Sequence, residues 1–148
     1  MKPSSVPKSS STSPLYFPIE QLTGLSEEDS ANLINHGITT TLQLLQKAGR
    51  NPSQKEALAI ALGVRVQLLL KWLAIADLAR IPAVGLQYSG VILHSGVVST
   101  EQLIQTPLDK LHTHIMRLQV KNFQRADLCP SMAEMAIWIK QAQQLKKK

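Results

Sequence analysis

The sequence repeats itself at an interval of 59 residues. Leu22-Thr23-Gly24-Leu25-Ser26 aligns with Ile81-Pro82-Ala83-Val84-Gly85. The same offset carries Gly37-Ile38-Thr39-Thr40-Thr41 onto Gly96-Val97-Val98-Ser99-Thr100, and Gln43-Leu44-Leu45-Gln46 onto Gln102-Leu103-Ile104-Gln105, without a gap. Apolar positions fall on apolar positions: Leu33 on Ile92, Ile34 on Leu93, Ile38 on Val97. A repeat of this length fixes the architecture before any single residue is interpreted. In a chain of 148 residues it predicts two small, similar halves fused into one compact body.

The local signals are helical throughout. Ser26 can N-cap a helix whose first turn holds Glu27, Glu28 and Asp29, where negative charge suits the helix dipole. That helix should run to about His36 and stop at Gly37. Thr40 caps a short helix through Gln46, and Asn51-Pro52 opens another that ends at Gly63. From Val64 to Ala79 the chain is apolar on most sides, with Val66, Leu69, Leu70 and Leu73 as one stripe and Leu68, Trp72 and Ile75 widening it. Such a helix belongs at the centre, covered on both flanks. The second copy follows: Leu86 to Ser95 with a stop at Gly96, a short helix capped by Ser99, and a broken helix over 107–128. A final helix is capped by Ser131 and buries Met132, Met135, Ile139 and Ala142. No segment alternates as a β-strand does, so the expected class is all-α, with an aliphatic core because aromatics are only 4% of the chain.

Charge and composition exclude several classes. The net charge of +6 comes almost wholly from Lys2, Lys8, Lys146, Lys147 and Lys148, so the part between the tails is nearly neutral. A basic tail attracts any polyanion, and salt screens it readily. Residues 1–18, with Pro3, Pro7, Pro14, Pro18 and many serines, are expected to be a disordered arm, and 146–148 a basic tail. The halves between them are expected at 19–80 and 81–145. No run of about 20 apolar residues is present, so no membrane span is expected. The N-terminus has no apolar stretch of the kind a secretory signal needs. The single cysteine, Cys129, cannot form an intramolecular disulfide; a reducing, cytoplasmic setting is expected.

Each copy opens with an apolar residue, any residue, a small one, an apolar one and a small one, followed by a helix with a small residue in its second turn. In the second copy these are Ile81, Ala83, Val84, Gly85, Ser89 and Gly90. The pattern is similar to a helix-hairpin-helix motif. Over roughly 19–145 the chain resembles a bacterial family of unknown function built from tandem units of that kind, which Leu70-Lys71-Trp72 and Ala76-Asp77-Leu78-Ala79-Arg80 also fit. Small residues let the chain turn tightly, and the next helix presents free backbone N–H groups that suit a phosphate. The resemblance implies that such a hairpin holds a nucleic-acid backbone, usually with a nearby Lys or Arg and with little sequence readout. In the first copy three carboxylates, Glu27, Glu28 and Asp29, stand at the helix entrance and would repel phosphate, so that hairpin is expected to be structural. In the second copy the candidate contacts are Arg80, Val84 and Gly85.

Catalysis is not expected. Lyase members of the wider glycosylase superfamily carry a lysine two positions past the hairpin, which here is Gln87, and an aspartate some twenty residues on, which here is Gln105. Ala59, Gly63 and Leu69 have helix-turn-helix spacing, but the second helix would offer only Arg65, Gln67 and Lys71 to bases, and burial accounts for it better. His112 and His114 fall on divergent helix faces, so no metal site is expected. Arg117, Lys121 and Arg125 recur at i, i+4, i+8 and form one basic stripe, diluted by Asp109 and Asp127.

Two functions follow. One is a non-catalytic module that binds nucleic-acid backbone nonspecifically through the second hairpin (Arg80, Val84, Gly85) and the Arg117, Lys121, Arg125 face. The other is a protein–protein adaptor that keeps the fold without binding phosphate. Neither calls for a cofactor or a metal.

Overall fold

The computed structural model describes residues 12–123 and 129–146. Among the described residues a 3-10 turn, Ile19–Gln21, precedes the helices α1 Glu27–Asn35, α2 Thr41–Ala48, α3 Pro52–Leu62, α4 Val66–Ala79, α5 Gly85–His94, α6 Thr100–Gln105, α7 Leu108–Phe123 and α8 Met132–Lys146. Among the described residues there is no strand, only an isolated bridge between Pro18 and Thr40. The chain is all-α.

The helix ends are where capping chemistry puts them. Ser26 Oγ accepts the Asp29 amide at 3.0 Å, and Asn51 Oδ1 accepts the Ser53 amide at 2.8 Å with Pro52 as the first helical residue. Ser131 and Glu134 cap α8 reciprocally, each side chain accepting the other's amide at 3.1 Å. Helices α1 and α5 both end on a left-handed glycine, Gly37 at φ 80° and Gly96 at φ 105°. Behind each, the next amide reaches back to close the helix: Ile38 N to Leu33 O at 2.9 Å, Val97 N to Ile92 O at 3.3 Å. All four of those side chains are buried, so each stop also pins its helix to the core.

Equivalent bonds recur 59 positions apart elsewhere. Thr40 Oγ1 accepts Gln43 N, and Ser99 Oγ accepts Gln102 N. Gln43 Oε1 accepts Thr39 N at 2.6 Å, and Gln102 Oε1 accepts Val98 N at 2.9 Å. Ser30 and Ser89, Leu44 and Leu103, Thr41 and Thr100 are buried pair by pair.

The core forms two clusters. One gathers Leu33, Ile38, Leu44, Leu62, Leu69 and Trp72. The other gathers Leu78, Ile92, Leu103, Leu111, Met135 and Trp138, with Tyr88 tilted against Trp138 at a ring separation of 5.1 Å. Helix α4 supplies both: Leu69, Trp72, Leu73, Ile75 and Ala76 belong to the first, Leu78 to the second. It packs against α2, α3 and α5, whereas α8 packs against α6 and α7. Full burial of one large apolar side chain contributes about 1.5–3 kcal/mol, so the two tryptophans anchor their clusters. Among the described residues no single helix is long and apolar enough to cross a membrane; α3 and α4 reach that length only together, across a bend of 112°.

Three expectations change. The buried stripe of α8 is Met135, Trp138, Ala142 and Leu145, while Met132 is 41% exposed because the whole first turn, Ser131 to Glu134, stands clear of the neighbouring helices. Leu70 is 43% exposed and Val66 half-buried, because α4 turns Leu69, Trp72 and Leu73 inward instead. Of the expected arm, residues 1–11 lie outside the described residues, but 12–18 are seated on the body. Leu15 N donates to Arg80 O at 2.9 Å, Phe17 N to Thr41 Oγ1 at 2.9 Å, and the Thr12 hydroxyl to Gln144 Oε1. The broken helix expected over 107–128 is helical through Phe123, and 124–128 lie outside the described residues.

Candidate binding surfaces

At the first candidate hairpin the entrance to α1 is acidic, as its sequence implies. Glu27 and Glu28 are exposed and Asp29 half-buried, and the Asp29 amide is taken by Ser26. At the second candidate hairpin the amides of Ala83, Val84 and Gly85 are spent within the protein. The amides of Val84 and Gly85 both donate to Ile81 O at 2.9 Å, and that of Ala83 donates to Gln141 Oε1 at 2.7 Å. Val84 is 2% exposed. The sequence places Val84 and Gly85 at the right point of a turn, but here their N–H groups close the turn and do not face outward. Gly85 adopts φ 53°, which is what the residue is needed for.

Arg80, the third candidate at this hairpin, is drawn back along its own helix. Its Nη2 pairs with Asp77 Oδ1 at 2.7 Å, and its Nε lies 3.4 Å from Asp77 O. Asp77 is the hub. Its Oδ2 accepts the Thr100 amide at 2.7 Å and its backbone oxygen accepts the Thr100 hydroxyl at 3.0 Å, which ties the C-terminus of α4 to the N-terminus of α6. In the first half the equivalent Thr41 is held differently, by the Phe17 backbone at 2.8 and 2.9 Å.

The α7 face is more open. Arg117 and Lys121 are both exposed, and Lys110 and His114 share their side of the helix. At about 100° per residue, positions 110, 114, 117 and 121 fall within an arc of about 60°. Asp109 sits about 100° away from Lys110 around the axis, off that arc. Leu111 and Ile115 are buried on the other side. Arg125, the third member expected, lies outside the described residues. The one ion pair among the described residues is that of Arg80 with Asp77. His112 is half-buried while His114 is exposed, consistent with their divergent directions.

The fold also builds a second surface, to which the sequence does not point. A cleft of about 1360 Å³ lies along α4, walled by α2, the α2–α3 loop and α3 on one side and by α5, α6 and the end of α8 on the other. Arg50, Lys55, Lys71, Arg80 and Lys146 line it, with Asp77 and Glu101 as its carboxylates. No periodicity connects positions 50, 55, 71 and 146, so only the fold gathers them. Cys129 is not part of this lining; burial, and then the nearby Glu134 carboxylate, push its thiol above the usual range, which leaves it a poor nucleophile at neutral pH.

The fold and these surfaces define an all-helical protein with a basic face on α7 and a cleft along α4 lined by cations. A family model covers residues 23–145, and the chain belongs to that family, described as Domain of unknown function (DUF4332). No curated protein matches the chain, and no solved structure does.

Proposed function

We propose that the chain is a non-catalytic binding module, built from two helix-hairpin-helix-like halves, that holds nucleic-acid backbone nonspecifically on the exposed face of α7. The bonds and burials that recur 59 positions apart support the two-halves reading. The observation that carries the function is the basic face itself: Lys110, Arg117 and Lys121 on one side of a 16-residue helix, with Asp109 turned off it. Phosphate contacts of this kind position a duplex without reading its bases. Arg80, Val84 and Gly85 add little to the interface, because their polar groups are already partnered.

The test is anisotropy of labelled duplex DNA over a salt series. Binding should weaken linearly in log–log form, with a slope of about −0.9 for each phosphate neutralised. Arg117→Glu with Lys121→Glu should weaken binding about tenfold or more and flatten the slope by about two phosphates. Unchanged affinity and slope in that double variant would reject the α7 face.

A second reading, a protein adaptor, is favoured by the α4 cleft. Its lining combines apolar side chains with cations, and a phosphate backbone has no use for the apolar part.

A further inference from the structure

The α4 cleft has an apolar floor. Leu45 comes from α2, Leu70 and Leu73 from α4, Leu93 from α5 and Ile104 from α6. Leu70 is 43% exposed in the middle of the chain's central helix, and it is among the residues that line the cleft. The rim is basic: Arg50, Lys55, Lys71 and Lys146 reach it from four separate elements. Asp77 is already paired with Arg80 and bonded to Thr100, so Glu101 is the other acid among the described lining residues.

We propose that this cleft docks an acidic amphipathic helix of a partner protein. The proposal rests on the adaptor reading and is independent of the α7 face. An aliphatic floor between basic walls complements a helix with apolar residues on one side and carboxylates flanking them. A helix about 10–11 Å across and three turns long displaces roughly 1,300–1,500 Å³, of the same order as the cleft's 1360 Å³. Helix-in-groove recognition draws affinity from apolar anchors at i, i+3 or i+4, and i+7. The charged rim sets orientation and speeds encounter. A nucleic-acid strand would satisfy the rim and leave the floor against water. A second copy of this chain fits less well, because its acidic turn at Glu27 to Asp29 belongs to a helix whose Leu33 side is already buried.

The experiment titrates the full chain against a labelled peptide of about four helical turns, with Leu at the anchor spacing and Glu elsewhere, and against its scrambled isomer. The patterned peptide should bind about tenfold or more tightly than the scrambled one. Leu70→Asp, and separately Lys55→Glu with Lys71→Glu, should each weaken it about tenfold or more. Leu70 and Lys71 are exposed and Lys55 half-buried, so these variants should fold, and circular dichroism melts check this. Arg117→Glu with Lys121→Glu should leave peptide binding unchanged.

Equal binding of the two peptides would overturn the proposal. Patterned binding that survives Leu70→Asp would overturn the cleft but leave the adaptor reading; no binding of either peptide would overturn both. Duplex DNA that displaces the peptide, and whose own binding is lost with Lys55→Glu and Lys71→Glu, would give the cleft to nucleic acid. Dimerisation in sedimentation runs that Leu70→Asp abolishes would give it to a second copy. Either result also overturns the proposal.

Discussion

Ser89 shows how a single side chain can be required for its size and not for its chemistry. It is fully buried in α5, and its hydroxyl has no hydrogen-bond partner. Its counterpart Ser30 is buried in α1. A buried hydroxyl without a partner costs free energy, whereas a small residue here lets two helices approach closely. Ser89→Ala should therefore be neutral or stabilising by up to about 1 kcal/mol, and Ser89→Leu should cost about 1–3 kcal/mol by overpacking. Urea unfolding of the two variants decides this. A loss of stability in the alanine variant would mean the hydroxyl makes a bond after all. The sequence exposes the size requirement, because both copies carry serine in the second turn of the helix. It cannot expose the unmet hydroxyl, which depends on what α5 packs against.

At the scale of elements, the helices were legible because each boundary is written locally. Ser26, Thr40, Asn51, Ser99 and Ser131 precede helices that start at the next residue or its neighbour, and Gly37, Gly63 and Gly96 follow helices that end there. What was not legible is how one element is tied to the next. Asp77 lies inside an apolar helix, where a lone carboxylate looks like a solvated position. It instead accepts the Thr100 amide and pairs with Arg80. Asp77→Ala leaves the first turn of α6 without that acceptor and should cost about 1–3 kcal/mol. Asp77→Asn keeps an oxygen for the Thr100 amide and loses only the half-exposed ion pair, so it should cost under about 1 kcal/mol. If both variants melt alike, the loss belongs to the Arg80 ion pair at the end of α4, and the Thr100 amide bond adds nothing. The same contrast explains the second hairpin. Its sequence marks Val84 and Gly85 as a turn, but whether the turn's amides face outward depends on Ile81 O and Gln141, the latter 58 residues away from Ala83.

At the scale of the molecule, two apolar clusters share one helix, and a short N-terminal stretch crosses from one to the other. Thr12 bonds Gln144 of α8, Leu15 bonds Arg80 at the end of α4, and Phe17 bonds Thr41 of α2. Serine and proline content marks this stretch as an arm, since such composition buries little apolar surface. Composition is blind to backbone pairing, however, and three of the bonds just described use main-chain groups of Leu15 and Phe17. In the first half, Phe17 holds Thr41 as Asp77 holds Thr100 in the second. A chain starting at residue 12 should therefore melt higher than one starting at residue 19. Each net hydrogen bond contributes about 0.5–1.5 kcal/mol, so three of them amount to roughly 1.5–4.5 kcal/mol. At this size about 1 kcal/mol moves the midpoint by roughly 2–8 °C, so the difference should be several degrees or more. Equal midpoints would mean that the stretch rests on the body without stabilising it. Since Pro14 and Tyr16 also line the α4 cleft, the same pair of chains reports on that site. A strap that shapes the cleft should change peptide affinity when removed, whereas duplex binding on α7 should stay as it is.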